Sequence, residues 1–127
     1  MLQTVTIAAL CINIEHIGRI LLSDPESLVL NYGMAFSILS NYPSLTMWLS
    51  VIACVMIIAV FFLAELNAGE RLGYSIMLGG ALSNCAEKLI LGYVIDWIHI
   101  PFIPLTINIA DIEVSLGALI AFLNFAV

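Results

Sequence analysis

From Met47 to Leu66 the chain carries no charged side chain before Glu65. A helix of about 20 apolar residues spans the hydrocarbon core of a bilayer, so this run has few soluble solutions. Three more stretches read the same way, about residues 2–22, 72–93 and 108–127. With 63% hydrophobic residues in 127, the chain has too little polar surface to cover a soluble domain. The expectation is an all-α integral membrane protein, one domain forming a four-helix transmembrane bundle with a small extracytoplasmic loop or strand segment.

The connections are short. Ser23-Asp24-Pro25-Glu26 closes the first run, and Asn67-Ala68-Gly69-Glu70-Arg71 separates the second from the third. Residues 27–45 contain Asn31, Gly33, Asn41 and Pro43, too broken for a lipid-facing helix, because unpaired backbone groups in hydrocarbon are costly. A short strand or re-entrant segment near one membrane face fits better. Asp96–Thr106 holds two prolines and predicts no helix. The start of the chain has no basic region and no clear cleavage site, so it reads as a retained first helix rather than a secretory leader.

Charge sets orientation and excludes one class of partner. With a net charge of -6 and three basic residues, Arg19, Arg71 and Lys88, no patch exists to neutralise nucleic acid. Arg71 marks its turn, and with it both chain ends, as cytoplasmic by the positive-inside rule. Asp96 and Asp111 then fall at the outer face. Cys11, Cys54 and Cys85 lie in apolar runs and read as small packing residues. Two histidines, His16 and His99, are too few for a metal site, and His99 beside Trp97 and Pro101 reads as an interfacial residue. No metal and no cofactor is expected.

Ionisable groups inside a membrane span need a partner or a function. Glu15 and Arg19 stand four apart, the order that favours a pair on one helix face. Glu87 and Lys88 are adjacent and diverge by about a quarter turn, so their partners lie on other helices, with Glu15 and Arg19 the obvious ones. These four are assigned to a neutral structural cluster. Asp96, Asp111 and Glu113 have no basic neighbour in sequence. Two close carboxylates that share a proton are the acid/base pair of aspartic peptidases. Asn108-Ile-Ala-Asp111 equally suits a capped helix start with an acid three residues on, and spacing alone leaves both readings open.

Several segments resemble the motifs of signal peptidase II, the lipoprotein signal peptidase family. Asn31-Tyr-Gly-Met-Ala-Phe-Ser37 is similar to its N-x-G-A-A-F-S, and Gly79-Gly-Ala-Leu-Ser-Asn-Cys-Ala-Glu-Lys88 to its G-G-A-x-G-N-x-x-D-R. Gly92-Tyr-Val-Ile-Asp96 resembles G-x-V-V-D, Asn108-Ile-Ala-Asp111 resembles N-x-A-D, and Glu15 to Arg19 looks like a variant of D-Q-x-x-K. The sequence departs from the pattern at Glu15, Ser83, Glu87, Lys88 and Ile107, and Glu113 is additional.

The resemblance implies an aspartic endopeptidase that cuts signal peptides from lipid-modified prolipoproteins. It implies a multi-pass protein of the bacterial inner membrane, with its site facing the periplasm or exterior. Asp96 and Asp111 are the expected catalytic pair, and Asn31, Gly33, Asn84 and Asn108 the residues that bind or orient substrate. The expected partners are lipidated prolipoproteins and membrane lipid. Two other readings are a catalytically lapsed homologue acting as a membrane scaffold, and a small cation or proton conductor.

Overall fold

The computed structural model describes residues 1–34 and 37–125. Ala35 and Phe36 of the Asn31–Ser37 motif, and the last two residues of the fourth expected span, lie outside them. Four helices carry the fold: α1 (Leu2–Leu22), α2 (Pro43–Leu63), α3 (Ala68–Leu91) and α4 (Ile109–Phe125). Four short strands lie at one end: β1 (Val29–Asn31), β2 (Val94–Asp96), β3 (Ile98–Ile100) and β4 (Leu105–Ile107). α1 and α2 are each long and apolar enough to cross a membrane.

Local chemistry sets the boundaries. α2 starts at Pro43, four residues before the expected span, because proline at the first helical position forfeits only an amide that has no partner there. α3 opens on a capping box: the Asn67 side chain accepts from Glu70 N–H, and the Glu70 carboxylate accepts from Asn67 N–H. It stops at Gly92, whose left-handed backbone (φ 85°) turns the chain into β2. The prolines of 96–106 do not abolish structure there. Pro101 and Pro104 sit in the turn between β3 and β4, which pair antiparallel with Ile98 opposite Ile107.

The molecule is polar and small inside, and large and apolar outside. α1 buries Thr4, Ala8, Cys11 and Glu15, while Leu2 is 82% and Ile20 79% exposed. α3 buries Gly73, Ser75, Gly79, Gly80 and Ser83 among others. Lipid gives no hydrophobic reason for helices to associate, so close backbone approach supplies the packing. α3 touches all three other helices. Where it meets α4, a Cβ on Gly73 would stand 2.5 Å from Ala121 N, and one on Gly117 2.6 Å from Gly73 O. All three cysteines are free and buried, as packing residues should be.

This packing delivers the polar residues of four elements to one end. β1 pairs antiparallel with β2, Val29 opposite Asp96 and Asn31 opposite Val94. Thr46 ties the chain before α2 to the same end by donating to Tyr32 O at 3.0 Å. At the far end Asn67 Nδ2 donates to Asn124 O at 2.9 Å, closing the turn between α2 and α3 over the end of α4.

Candidate active site

Asp96 ends β2 with its side chain buried, because burial alternates along that strand and Val94 and Asp96 share the inward face. Burying a carboxylate demands hydrogen-bond donors. Asn31 Nδ2 supplies one to Asp96 Oδ2 at 3.0 Å, and Asn108 Nδ2 one to Oδ1 at 3.0 Å. Asn31 is held in turn: its Nδ2 also donates to Met34 O at 3.1 Å, and its Oδ1 accepts from Gly33 N–H at 2.8 Å. A Cβ on Gly33 would collide with the backbone of Ser37 and Ile38, so no larger residue closes that turn.

Asp111 does two things at once. Its Oδ2 accepts from Asn108 N–H at 3.2 Å while Asn108 Oδ1 accepts from Asp111 N–H at 2.8 Å, a reciprocal cap on the first turn of α4. Its Oδ1 accepts from Asn84 Nδ2 at 2.9 Å. The helix-start reading and the site reading are therefore compatible: the cap holds the carboxylate still and leaves it beside Asn84.

Asn108 joins the two acids. Its amide donates to Asp96 and also to Asn84 Oδ1 at 3.0 Å, so one hydrogen-bonded chain runs Asp96–Asn108–Asn84–Asp111. Asn31, Gly33, Asn84, Asn108, Asp96 and Asp111 thus come together. Asn31, Asp96 and Asp111 line two cavities. One, of about 150 Å³, is walled by Ser50, Ala53, Ala81 and Lys88; the other, of about 360 Å³, by Leu105, Ile107, Ile112 and Ser115.

The four charges assigned to a cluster form one of the expected pairs and otherwise divide. Arg19 pairs across helices with Glu87, as expected, and not with Glu15 four residues before it. Glu87 Oε2 also accepts from Ile95 N–H at 3.0 Å, steadying the strand that carries Asp96. Glu15 is fully buried and takes Trp97 Nε1 at 3.1 Å and Ala110 N–H at 3.2 Å. The second is one of the amides at the start of α4 that lack a helical partner. Lys88 stands apart, donating to Ser50 Oγ at 3.3 Å beside the smaller cavity. No motif pointed to Ser50 or Trp97, which are single polar groups in apolar surroundings. Glu113 is buried against α3 near Gly80, with Oε2 unpartnered among the described residues. His99 is exposed, with Nε2 against Ser27 O at 2.9 Å and Nδ1 against Thr106 Oγ1 at 2.8 Å. Among the described residues no three of His, Cys, Asp and Glu are placed to hold a metal.

Burial raises the Asp96 carboxyl from 3.8 to about 6, with Asp111 and Glu15 adding to the rise and the amides of Asn31 and Asn108 opposing it. The folded protein therefore holds this proton more tightly than the unfolded chain. Its contribution to stability is fully present below pH 3.8 and is lost as pH rises through about 6. The expected result is a folding stability in detergent that falls between pH 4 and pH 7 by on the order of 2 kcal/mol, seen as a lower thermal midpoint. That part of the pH dependence should be missing from Asp96→Asn, and identical profiles would show that Asp96 titrates normally.

A family model for signal peptidase (SPase) II matches residues 26–127. Among curated relatives, the lipoprotein signal peptidase of Nostoc punctiforme is 38% identical over 91 residues, covering 70% of this chain and 58% of that protein. That of Pasteurella multocida is 35% identical over 105 residues, covering 71% and 59%. The chain thus spans less than two thirds of the length of these relatives. Two solved structures described as bacterial membrane enzymes share the fold at 20% identity. Their TM-scores are 0.84 and 0.80, and they cover 99% and 98% of this chain and 88% and 93% of theirs. By the extent of the family match the chain belongs to the signal peptidase II family, and with that family and fold it is a bacterial membrane protein.

Proposed function

We propose that this protein is an aspartic endopeptidase that removes signal peptides from lipid-modified prolipoproteins, with Asp96 and Asp111 as its catalytic pair. The observation that carries the reading is the Asp96–Asn108–Asn84–Asp111 chain, open to two cavities. Nothing in the comparisons favours a lapsed catalyst.

The pair works by dividing one proton. Asp111, half-buried and held by Asn84 and the Asn108 amide, is the ionised member and takes a proton from water. Asp96, deeper and with its carboxyl pushed up to about 6, holds the shared proton and gives it to the scissile carbonyl oxygen. Water oxygen bonds to the carbonyl carbon, giving a gem-diol. Asp111 then protonates the departing nitrogen, the C–N bond breaks, and Asp96 recovers its proton as the carbonyl re-forms. Lys88 lends positive charge to this otherwise anionic pocket, while Asn31 and Gly33 fix the wall against which the peptide lies.

All four helices cross the membrane in this reading, α1 and α3 in one direction and α2 and α4 in the other. The 64–67 turn faces the cytoplasm, because Arg71 follows it and the connections at the dyad end carry no Lys or Arg. The dyad then lies at the outer face of the inner membrane, at the depth where a lipid anchor holds the bond after a signal sequence. The small walls Ala53 and Ala81 leave room for an extended peptide, and the apolar walls Leu105 and Ile112 take the lipid-bearing side.

The anchor should therefore matter more than the peptide sequence. Purified protein should cleave a diacylglyceryl-modified prolipoprotein peptide at least about a hundredfold faster, in kcat/KM, than the same peptide with a free cysteine, since positioning supplies large rate factors. Equal rates would show that the lipid is not what places the bond.

A further inference from the structure

A cavity of about 700 Å³ opens between α1 and α3 at the end away from the dyad, walled by Leu2, Ile7 and Leu72 and edged by Gln3, Thr6 and Arg71. The two helices are in tight contact one turn further on, where a Cβ on Gly79 would stand 2.5 Å from Cys11 Cβ, so the cavity is a wedge that ends at that contact. It is separate from the site already described. Arg71 and Asn84 are 13 residues apart on α3, about 20 Å at 1.5 Å per residue.

Arg71 differs from the other two cations. Arg19 is paired with Glu87 and Lys88 donates to Ser50, whereas the Arg71 guanidinium has no hydrogen bond or ion pair among the described residues. Among the described residues no acidic side chain lines the wedge. Neighbouring Glu70 is turned back onto the α3 cap, its carboxylate accepting from Asn67 N–H at 2.8 Å. On the inner wall the Thr4 hydroxyl is buried and has no partner among the described residues. The site therefore offers a planar five-donor cation at the mouth, an unmet hydroxyl within, and apolar walls continuous with exposed Leu2 and Val5.

We propose that this wedge binds the phosphodiester headgroup of an anionic glycerophospholipid from the leaflet on the Arg71 side. A phosphate oxygen pair matches the guanidinium fork, and an acyl chain lies along Ile7 and Leu72. The apolar walls, which a free phosphate cannot use, commit the site to a bilayer lipid.

Native mass spectrometry of the whole purified chain in neutral detergent, titrated with dioleoylphosphatidylglycerol or dioleoylphosphatidylcholine, tests this. The anionic lipid should bind more tightly, because the choline cation offsets the phosphate charge in the other, and Arg71→Gln should weaken the anionic lipid about fivefold and the zwitterionic lipid less. Arg71→Lys should keep most of the preference, and sn-glycerol 1-phosphate should not compete at equal concentration. Asp96→Asn should bind as the wild type does, which separates failure of this site from failure of the peptidase reading. Equal binding of both lipids, no effect of Arg71→Gln on a protein whose melting is unchanged, or competition by soluble glycerol phosphate would each overturn the proposal.

Discussion

Asp96→Asn and Asp111→Asn should each lower cleavage of a lipidated prolipoprotein by at least about a thousandfold, within the range that positioned acid/base groups supply. Asparagine keeps the size of the side chain but cannot hold or pass on the shared proton. The double variant should be no slower than either single one, because the two acids act as a unit. Each variant should still insert in membranes and melt cooperatively, since the caps and strands around them keep most of their hydrogen bonds. Glu113→Gln is the control. Glu113 lies two residues past Asp111, about 200° around α4, and packs toward Gly80 on α3. It should retain most of the activity. Substantial turnover by either single aspartate variant would falsify the dyad and leave Asp111 only its place in the α4 cap.

The second large effect concerns stability. Glu87 is buried and Arg19 only slightly exposed, and they pair across α1 and α3. Arg19→Met leaves a carboxylate without its cation, and losses of about 3–5 kcal/mol are usual when one member of a buried pair is removed. Arg19→Met with Glu87→Gln together should cost clearly less than the sum of the two single changes, because no ion is then stranded. Lys88→Met should add to Glu87→Gln without coupling, since Lys88 points to Ser50 on α2. Thermal midpoints of the purified variants decide between these patterns. Additive losses for Arg19 and Glu87 would mean that the pair contributes little.

Partner choice was only partly legible in the sequence. The adjacency of Glu87 and Lys88 sends Glu87 to another helix, where it meets Arg19 as expected, but tertiary packing gives Glu15 to Trp97 and to the first turn of α4 rather than to Arg19 four residues on. A helical repeat reports which residues share a face and says nothing of what that face meets. The helices were legible because apolar runs of bilayer length have few other uses, and the polar ends of those runs are short. Pro43 reads as a break although it starts α2, whereas Pro101 and Pro104 exclude a helix, as expected, and sit in a hairpin turn. Proline marks a boundary without saying which side of it is structured. The acids and amides of the site were legible only through motif resemblance. The register that sets Asn31 across from Val94, and so beside Asp96, depends on residues 63 positions apart and has no local signal.

The most direct test of the peptidase reading is mass spectrometry of a diacylglyceryl-modified prolipoprotein after incubation with the purified wild-type chain alone in lipid nanodiscs. Two fragments are predicted, the signal peptide and a product that begins at the lipidated cysteine. Intact substrate in the presence of folded, correctly inserted protein would contradict the account and favour a membrane protein whose catalysis has lapsed.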